Sequence, residues 1–471
     1  MFIGLDIGSS SVKVSCFDGI DFHIVRKNYP SETDRREQDL TVVMKTISLA
    51  CRELLSIVPG KSITGISLSG HGPSILFLDP KGEVASSLVT WQDNRATREA
   101  EQLSRTIPGF SKDGSSYEAK LLWFYHHHPE FFDPGYTALY PKDYVLFALC
   151  GQRLIDSSTA STLTFFDRRA CKWDQQAVPF PISVLPQVAD SWQEVGCTGT
   201  TFSRDCGFAD GIALYPGGID AYCGVVGSGS ISPSILIEET GTSTCISRCS
   251  PFGEGKDWHV LPNLSLTMKT ISATGLSFQW FMDLFSLSSL KDLQAELGPA
   301  RPIPLLFLPY LIGERSPIWD DKALGAFIGI RPDTSSASLL GGIMQGTAFA
   351  IRQNIELLAG LDASSIAVNA VGGSAKDSAW LQMKADITGL PYRRMRVTDG
   401  AAVGAALIAS VGSGELSLFD IPSVITVEKE FLPDFTYRSR YLELYEGYTA
   451  LYGTLKPMFP MLHADNIRGN M

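Results

Sequence analysis

The chain has 471 residues, which is more than one ordinary hydrophobic core accommodates and therefore predicts two large domains. Apolar residues make up 44% of it and charged residues 19%, a composition typical of a globular enzyme and not of a disordered or fibrous protein. The formal net charge of −11 argues against nucleic acid as a partner, because that binding depends on clustered Lys and Arg.

Neither membrane insertion nor secretion is expected. No stretch reaches the roughly 18–20 consecutive apolar residues that a bilayer-spanning helix needs. The first residues lack the basic segment of a signal peptide and already contain Asp6. The nine cysteines include no Cys-x-x-Cys pair, which predicts free thiols in a reducing compartment, and hence a cytoplasmic protein. Oligomeric state is left open, with a homodimer as the commonest assembly.

The first residues predict a strand, a tight turn and a return strand. Residues 2–7 are apolar except for Asp6, residues 8–11 read Gly-Ser-Ser-Ser, and residues 12–17 form the second strand. The remainder of the first half predicts strands at 63–68 and 75–78 and helices at 120–128 and 144–150.

The same pattern recurs about half a chain later. Residues 235–237 are apolar, Glu239 precedes Gly241 as Asp6 precedes Gly8, and three hydroxyl residues follow before the next apolar strand. Two copies of one uncommon pattern predict a duplicated domain. The boundary is placed in the Gly- and Ser-rich stretch 224–234, which gives an N-terminal domain at 1–228 and a C-terminal domain at 229–471.

The second half is predicted to be rich in helices. Periodic apolar residues predict helices at 336–358, 377–388 and 400–410, with a strand at 367–371 before a Gly-Gly pair. The last predicted helix, at 438–456, is amphipathic, and the sequence does not decide on which domain it packs.

The two Gly-Ser/Thr turns are candidate phosphate sites. A tight hairpin that points several N–H and hydroxyl groups the same way forms a cradle for anions. For one turn alone, an ordinary β-turn with a glycine of positive φ explains the residues better. The repetition, with a carboxylate two residues before each glycine, favours phosphate binding. Asp6 would then suit a hydrated Mg²⁺, which takes few protein ligands.

Asp220 is the candidate catalytic group. It follows the helix-breaking residues 216–218 and precedes small residues, so it is expected near the start of a helix. By itself such a residue would be interpreted as a helix N-cap. Phosphoryl transfer, however, needs a carboxylate that orients the attacking hydroxyl in line with the γ-phosphate.

The segment 91–95 is a candidate sugar site. Trp91 offers a flat apolar face, and Asp93 and Arg95 offer charged groups to sugar hydroxyls. A salt-bridged turn on the surface explains the same residues equally well.

Together these segments resemble the FGGY carbohydrate kinases, a family of the actin and hexokinase superfamily. The resemblance extends over nearly the whole chain in family order and rests on residues 6–13 (DIGSSSVK), 91–95 (WQDNR), 120–123 (KLLW), 141–144 (PKDY), 156–161 (DSSTAS), 217–220 (GGID), 239–243 (ETGTS), 313–317 (GERSP) and 372–377 (GGSAKD). It implies an α/β fold of two actin-like (ribonuclease H-like) domains, each with a mixed five-stranded sheet flanked by helices, around a central cleft.

The resemblance also implies a reaction and its residues. ATP with Mg²⁺ would phosphorylate a small sugar or polyol, with Asp6 at the metal and Asp220 as catalytic base. The implied nucleotide-binding residues are Ser9, Ser10, Ser11, Lys13, Thr242, Gly275, Gln279, Gly372, Gly373 and Asp377. The implied substrate-binding residues are His71, Gly72, Trp91, Asp93, Arg95 and again Asp220.

One segment departs from the xylulose kinase branch, which the chain otherwise resembles. That branch carries Gln-Met-His-Gly after the third strand, whereas His71, Gly72 and Pro73 stand at the first three positions here. D-xylulose is the lead substrate. The alternatives are another ketose, polyol or sugar acid, such as ribulose, gluconate or glycerol, and, in a different class, an actin-superfamily ATPase or activator without a sugar substrate.

Overall fold

The fold is seen in a computed structural model, which describes residues 1–30, 36–58, 62–107, 110–359, 366–396 and 399–462. The chain divides into two compact units. Unit 1 consists of Met1–Gly229, Pro251–Ser265 and Asp399–Val424, and unit 2 of Ser230–Ser250, Leu266–Thr398 and Ile425–Met471. Each unit thus draws on separate stretches of the chain, and the domain boundary placed after residue 228 stays a prediction.

The strands are, in chain order, β1 (Phe2–Ile7), β2 (Ser11–Phe17), β3 (Phe22–Asn28), β4 (Glu37–Gln38), β5 (Gly65–Gly70), β6 (Leu76–Leu78), β7 (Leu88–Val89), β8 (Thr137–Leu139), β9 (Leu154–Asp156), β10 (Phe166–Asp167), β11 (Lys172–Trp173), β12 (Gln187–Ala189), β13 (Gly196–Cys197), β14 (Ala213–Ile219), β15 (Ile235–Thr240), β16 (Thr244–Pro251), β17 (Asp257–Trp258), β18 (Leu264–Ile271), β19 (Leu306–Leu308), β20 (Ala326–Ile328), β21 (Ala367–Val371), β22 (Tyr392–Met395) and β23 (Val427–Phe431).

The α-helices are α1 (Leu40–Ile57), α2 (Thr97–Thr106), α3 (Tyr117–His127), α4 (Pro141–Cys150), α5 (Ser157–Ser161), α6 (Thr201–Asp205), α7 (Asp220–Gly227), α8 (Thr274–Leu284), α9 (Lys291–Leu297), α10 (Ser336–Ala359), α11 (Ser378–Thr388), α12 (Gly400–Gly412), α13 (Ile421–Val424), α14 (Arg438–Leu455) and α15 (Phe459–Leu462). In the described part of the chain, none of the helices has the length and apolar character that crossing a membrane requires.

The main sheet of unit 1 is mixed and has the strand order β13-β14-β5-β1-β2-β3. β1 is antiparallel to β2 and parallel to β5, and β5 is parallel to β14. All six residues of β1 are buried, as expected for a strand in the middle of a sheet with both faces covered. On one face α12 approaches closely, because a Cβ atom at Gly4 would lie 2.0 Å from the carbonyl oxygen of Ala402.

Unit 2 repeats this arrangement. β15 is antiparallel to β16 and parallel to β21, which in turn is parallel to β22. The long helix α10 lies in its core, where a Cβ atom at Gly346 would be 2.3 Å from the carbonyl oxygen of Phe307. The C-terminal helix α14 belongs to this unit and buries Tyr441, Leu444 and Tyr448 in the same core. This placement answers the question that the sequence left open.

The mixed α/β fold predicted from the sequence is confirmed, with differences in detail. Each main sheet contains more than the five strands expected, since the first has six, with two-residue β13 at its edge, and the second has seven, with β23 at its edge. Helix α3 begins at Tyr117, three residues before the prediction, because Ser116 caps it by accepting a hydrogen bond from the amide of Ala119. Helix α4 begins at Pro141, since proline is well suited to a first helical position.

Candidate active site

Three neighbouring parallel strands of unit 1 end at one edge of its sheet. Ile7 of β1 pairs with Gly70 of β5, and Gly70 pairs with Ile219 of β14. The residues that follow these three are Gly8, His71 and Asp220. Ligand sites of open α/β sheets lie at the carboxyl ends of the strands. The register therefore brings together residues predicted for phosphate binding, substrate binding and catalysis.

Asp6 is a buried carboxylate beside this edge, with only 1% of its surface exposed. It accepts a hydrogen bond of 3.0 Å from the Ser69 hydroxyl and forms an ion pair of 3.0 Å with Lys13. Burial by itself would lower the pKa of Lys13, but the charge of Asp6 and the hydrogen bond to it raise the pKa. A hard carboxylate oxygen held in place by its neighbours is a donor that fits Mg²⁺.

The turn after β1 is braced by main-chain hydrogen bonds. The amide of Gly8 donates to the carbonyl of Ser11 at 3.0 Å, and the amide of Tyr29 donates to the carbonyl of Ser10 at 3.0 Å. The Gln38 amide group donates to the carbonyl of Ser9 at 2.6 Å. Gly8 does not take a positive φ, so an ordinary left-handed turn glycine does not explain it. Ser10 is exposed, whereas Ser11 is buried.

Asp220 begins α7, and glycines determine where that helix lies. Its carboxylate accepts a hydrogen bond of 2.8 Å from the amide of Ala221, while Ile219 occupies the N-cap position, so Asp220 is not the cap. In the bulged strand before it, Gly217 has a φ of +67°, and a Cβ atom there would lie 1.7 Å from the Leu68 carbonyl oxygen. No other residue fits that position.

Helix α7 is seated against α12 within unit 1. A Cβ atom at Gly227 would lie 1.9 Å from the carbonyl oxygen of Gly400, and one at Gly404 would lie 1.8 Å from that of Cys223. Such a close approach is possible only without side chains at the crossing. The Gly- and Ala-rich helix predicted near residue 400 thus fixes the helix that carries Asp220.

His71 is buried at the end of β5, with 2% of its surface exposed. Burial lowers the pKa of His71 to about 4, although the charge of Asp6 acts in the opposite direction, so the imidazole is neutral near pH 7. Its Nδ1 atom lies 2.8 Å from the Ser74 hydroxyl, which also accepts a hydrogen bond of 3.0 Å from the amide of Trp91. His71 and Gly72 are thereby connected to the segment that begins at Trp91.

In that segment the charged residues pair with each other. The Arg95 guanidinium donates two hydrogen bonds of 2.8 Å to the two oxygens of Asp93, contacts Glu37, and lies 5.1 Å from the centre of the Trp123 ring. The salt-bridged turn proposed as an alternative therefore exists. Trp91 is 41% exposed and remains accessible to a ligand. A sugar contact by these residues stays a prediction.

In unit 2 the second turn is held against the start of α8. The amide of Leu276 donates to the carbonyl of Thr242 at 2.9 Å, and a Cβ atom at Gly275 would lie 1.9 Å from the carbonyl oxygen of Gly241. Gly372, with a φ of +86°, directly follows β21 beside the same turn, where a Cβ atom would be 2.6 Å from the Thr240 carbonyl oxygen. Thr242, Gly275 and Gly372 are thus brought together, with exposed Gly373 next in the chain.

Asp377 caps helix α11. One of its oxygens accepts hydrogen bonds of 3.0 Å from the amides of Ala379 and Trp380, and the other accepts one from Gln294. Gln294 lines a mostly apolar recess together with Leu297, Met344, Ala379 and Met383. Gln279 lies on the exposed side of α8, one turn after Gly275, and donates a hydrogen bond of 2.8 Å to Asp283.

Two polar residues that contact these segments had no role assigned from the sequence. Gln38 holds the first turn, and Lys120, which is completely buried, donates to the carbonyls of Pro73 and Thr90. Lys120 did carry a signal, because it is a lone charge in an otherwise apolar helical run, Ala-Lys-Leu-Leu-Trp-Phe. Gln38 carried none.

Known proteins are similar to this chain along most of its length. Family models for the FGGY family of carbohydrate kinases match residues 1–227 (N-terminal domain) and 239–413 (C-terminal domain). The chain is 28% identical to a xylulose kinase of Bacillus subtilis over 495 residues, covering 97% of each, and 26% identical to a glycerol kinase of Saccharolobus islandicus over 486 residues, covering 95% of each. The crystal structure of a xyloylose kinase from Brucella ovis matches with a TM-score of 0.88 at 26% identity, covering 97% of this chain and 99% of that one.

Proposed function

The chain belongs to the FGGY family of carbohydrate kinases and is a carbohydrate kinase, and we propose that it transfers the γ-phosphate of ATP to D-xylulose to form D-xylulose 5-phosphate. The observation that carries the site assignment is the register of β1, β5 and β14, which aligns Gly8, His71 and Asp220 at one sheet edge. The choice of sugar rests on the xylulose kinases to which the chain is similar along 97% of its length.

In this proposal Asp220 is the general base. Its carboxylate accepts the proton of the attacking sugar hydroxyl while the new oxygen–phosphorus bond forms and the bond from the γ-phosphorus to the bridging oxygen of ADP breaks. Phosphoryl transfer depends mostly on positioning and on charge stabilisation. The glycine contacts that fix α7 are therefore as important to the proposal as the carboxylate itself.

Asp6 would hold the Mg²⁺ that accompanies ATP, and the ion when bound would neutralise charge on the phosphates. The chain's own cation at this place is Lys13, which already pairs with Asp6. With phosphates present, Lys13 can interact with them from the same position. Ser9 and Ser10, in a turn whose carbonyls are engaged by Gln38 and by the amide of Tyr29, would present the remaining donors.

Unit 2 would bind the remainder of the nucleotide. Thr242, Gly275 and Gly372 surround a turn that is suited to phosphate, and Gly373 offers an approach without a side chain. The apolar recess beside Asp377 would accommodate the adenine ring. Gln279, one turn along α8, remains a predicted nucleotide contact.

A substrate panel tests the proposal directly. Purified protein with ATP and Mg²⁺ should release ADP only when a sugar is added, with D-xylulose among the best acceptors in a panel of ketoses, polyols and sugar acids. Preference for glycerol or gluconate would retain the kinase and replace the substrate. Rapid ADP release without any sugar would favour the ATPase alternative, and failure of the whole panel would refute the proposed function.

The Asp220→Asn variant tests the base. Turnover should fall roughly 10²–10⁴-fold, the usual range for general-base catalysis, with ATP affinity unchanged in a binding titration. Asp210→Asn is the matched control, because Asp210 lies in the same unit on the surface, paired with Arg204. An unchanged rate in Asp220→Asn would remove this residue from the mechanism.

A further inference from the structure

Lys120 is a buried cation that no step of the proposed reaction uses. None of its side chain is exposed, and its ammonium group donates hydrogen bonds to the carbonyl oxygens of Thr90 at 2.7 Å and Pro73 at 3.0 Å. Burying a charge is costly unless hydrogen bonds compensate for the lost water. A methionine or leucine would fill the same space in α3 without that cost, so the two hydrogen bonds are what the lysine contributes.

The two carbonyls belong to the two segments that are proposed to bind the sugar. Pro73 directly follows His71 and Gly72, and Thr90 directly precedes Trp91. Lys120 therefore links the two segments from a third element, the helix α3.

Other contacts show that the two segments form a single structural feature. The amides and carbonyls of Ile75 and Val89 exchange two hydrogen bonds of 2.9 Å. The Ser74 hydroxyl contacts both His71 and the amide of Trp91. Lys120 adds a connection at the positions nearest the predicted sugar contacts, where the main-chain pairing has already ended.

We propose that Lys120 is a positioning residue for the sugar, which sets sugar affinity by holding segments 71–74 and 90–95 in a fixed relation. This inference rests on the proposed function, because it takes both segments to contact the sugar. Loss of the ammonium group removes the shared donor that joins the two carbonyls and frees the segments to separate, although the Thr90 carbonyl keeps its hydrogen bond of 3.1 Å from the Asp93 amide. Sugar binding then weakens, whereas the ATP-binding turns of unit 2 are untouched.

The pH dependence of sugar binding in the wild-type protein provides a second test. Burial lowers the pKa of Lys120 to about 7, against the nearby carboxylates of Asp93 and Asp113, while Arg95 adds to the lowering. His71 also faces it, but is neutral across this range. A neutral amine forms weaker hydrogen bonds than an ammonium group. The KM for sugar should therefore rise as the pH increases through about 7.

The experiment compares the wild type with Lys120→Met and Leu121→Ala, using the best sugar of the panel in an ADP-coupled assay. Lys120→Met should raise the KM for sugar roughly 10-fold or more, the size expected for hydrogen bonds from a charged group, and leave the KM for ATP within about twofold. The rise of sugar KM with pH should disappear in this variant. Leu121→Ala, which cuts a buried apolar neighbour on the same helix, should lower the melting temperature without changing the sugar KM.

Each outcome decides the inference. An unchanged sugar KM in Lys120→Met, or an equal rise in both KM values, would overturn it. If Lys120→Met does not fold, the pH profile of the wild type decides, and a sugar KM that is constant from pH 6 to pH 8.5 overturns it. A wild type that phosphorylates no sugar refutes the proposed function itself, which is a separate result and takes this inference with it.

Discussion

The buried ion pair of unit 2 gives the sharpest stability prediction. Lys384 of α11 pairs with Glu238 of β15, and neither side chain is exposed to solvent. Glu238 also accepts a hydrogen bond of 2.9 Å from the Thr240 hydroxyl, which lies 2.7 Å from the Thr244 hydroxyl. The pair therefore anchors the base of the turn at Gly241. Replacing Lys384 by Met removes the cation and preserves most of the volume.

The expected loss of stability follows from the groups that remain in the core after Lys384 is replaced. With Lys384 gone, the carboxylate of Glu238 stays in the core with the Thr240 hydroxyl as a donor but without a counter-charge, and breaking a buried pair in this way costs about 3–5 kcal/mol. For a unit of this size the melting temperature should fall roughly 6–20 °C. In the double variant Lys384→Met/Glu238→Gln the charge is also removed and the acceptor for Thr240 is retained. Most of the lost stability should return, because replacing a whole buried pair is often close to neutral.

Thermal unfolding of the wild type, both single variants and the double variant measures these differences, and an ATP titration shows whether the turn is disturbed. The expected order of stability places the double variant above Lys384→Met. If Lys384→Met costs less than about 1 kcal/mol, water reaches the pair and the burial argument fails. A double variant that is destabilised by the sum of the two single effects would refute the reasoning as well, since independent sites add and paired charges do not.

Two further predictions concern unit 2. Gly275→Ala should raise the KM for ATP, because its Cβ atom would lie 1.9 Å from the Gly241 carbonyl oxygen. Gly453→Ala is the control, because nothing lies within 4 Å of a Cβ atom at that position. Equal KM values for ATP in the two variants would contradict the prediction. Burial raises the pKa of Glu314 from 4.5 to about 7, so its stabilising contribution is complete below pH 4.5 and lost as the pH rises through 7. Glu314→Gln should therefore gain stability relative to the wild type between pH 5 and pH 8, by about 3 kcal/mol at most, and a constant difference in melting temperature would count against this.

Helices and strands could be predicted where the local sequence shows a clear hydrophobic pattern. The strands β1 and β15 are apolar runs that end at a carboxylate and a glycine turn, and α10 shows helical periodicity over its whole length. Strand β23 was not predicted, because it reads Val-Glu-Lys-Glu-Phe and four of its five residues are exposed. An edge strand with so little burial is specified by its partner β22 and not by its own composition.

Residues of the candidate site could be predicted only where a single residue stands out in the sequence. Asp6 was found because it is a carboxylate in an apolar strand-like segment, and Asp220 because it follows the helix-breaking residues 216–218 near an expected helix start. The register that sets Ile7, Gly70 and Ile219 side by side depends on three distant segments, and no local pattern contains it. For Asp93 and Arg95 the sequence allowed both a sugar site and a salt bridge, and the structure shows the bridge without excluding the sugar.

Two lysines that are buried in the described part of unit 1 show why the role of a buried charge depends on its partners and not on burial alone. Lys142 is as inaccessible as Lys120, but it pairs with the carboxylates of Asp143 and Asp156. Burial would lower the pKa of both, yet these two charges raise the pKa of Lys142, whereas Lys120, bound to neutral carbonyls, has a pKa lowered to about 7. Lys142 thus keeps its proton near neutral pH. Lys120, in contrast, loses its proton as the pH rises through about 7. Because every residue has a main-chain carbonyl, no sequence pattern could have identified the partners of Lys120.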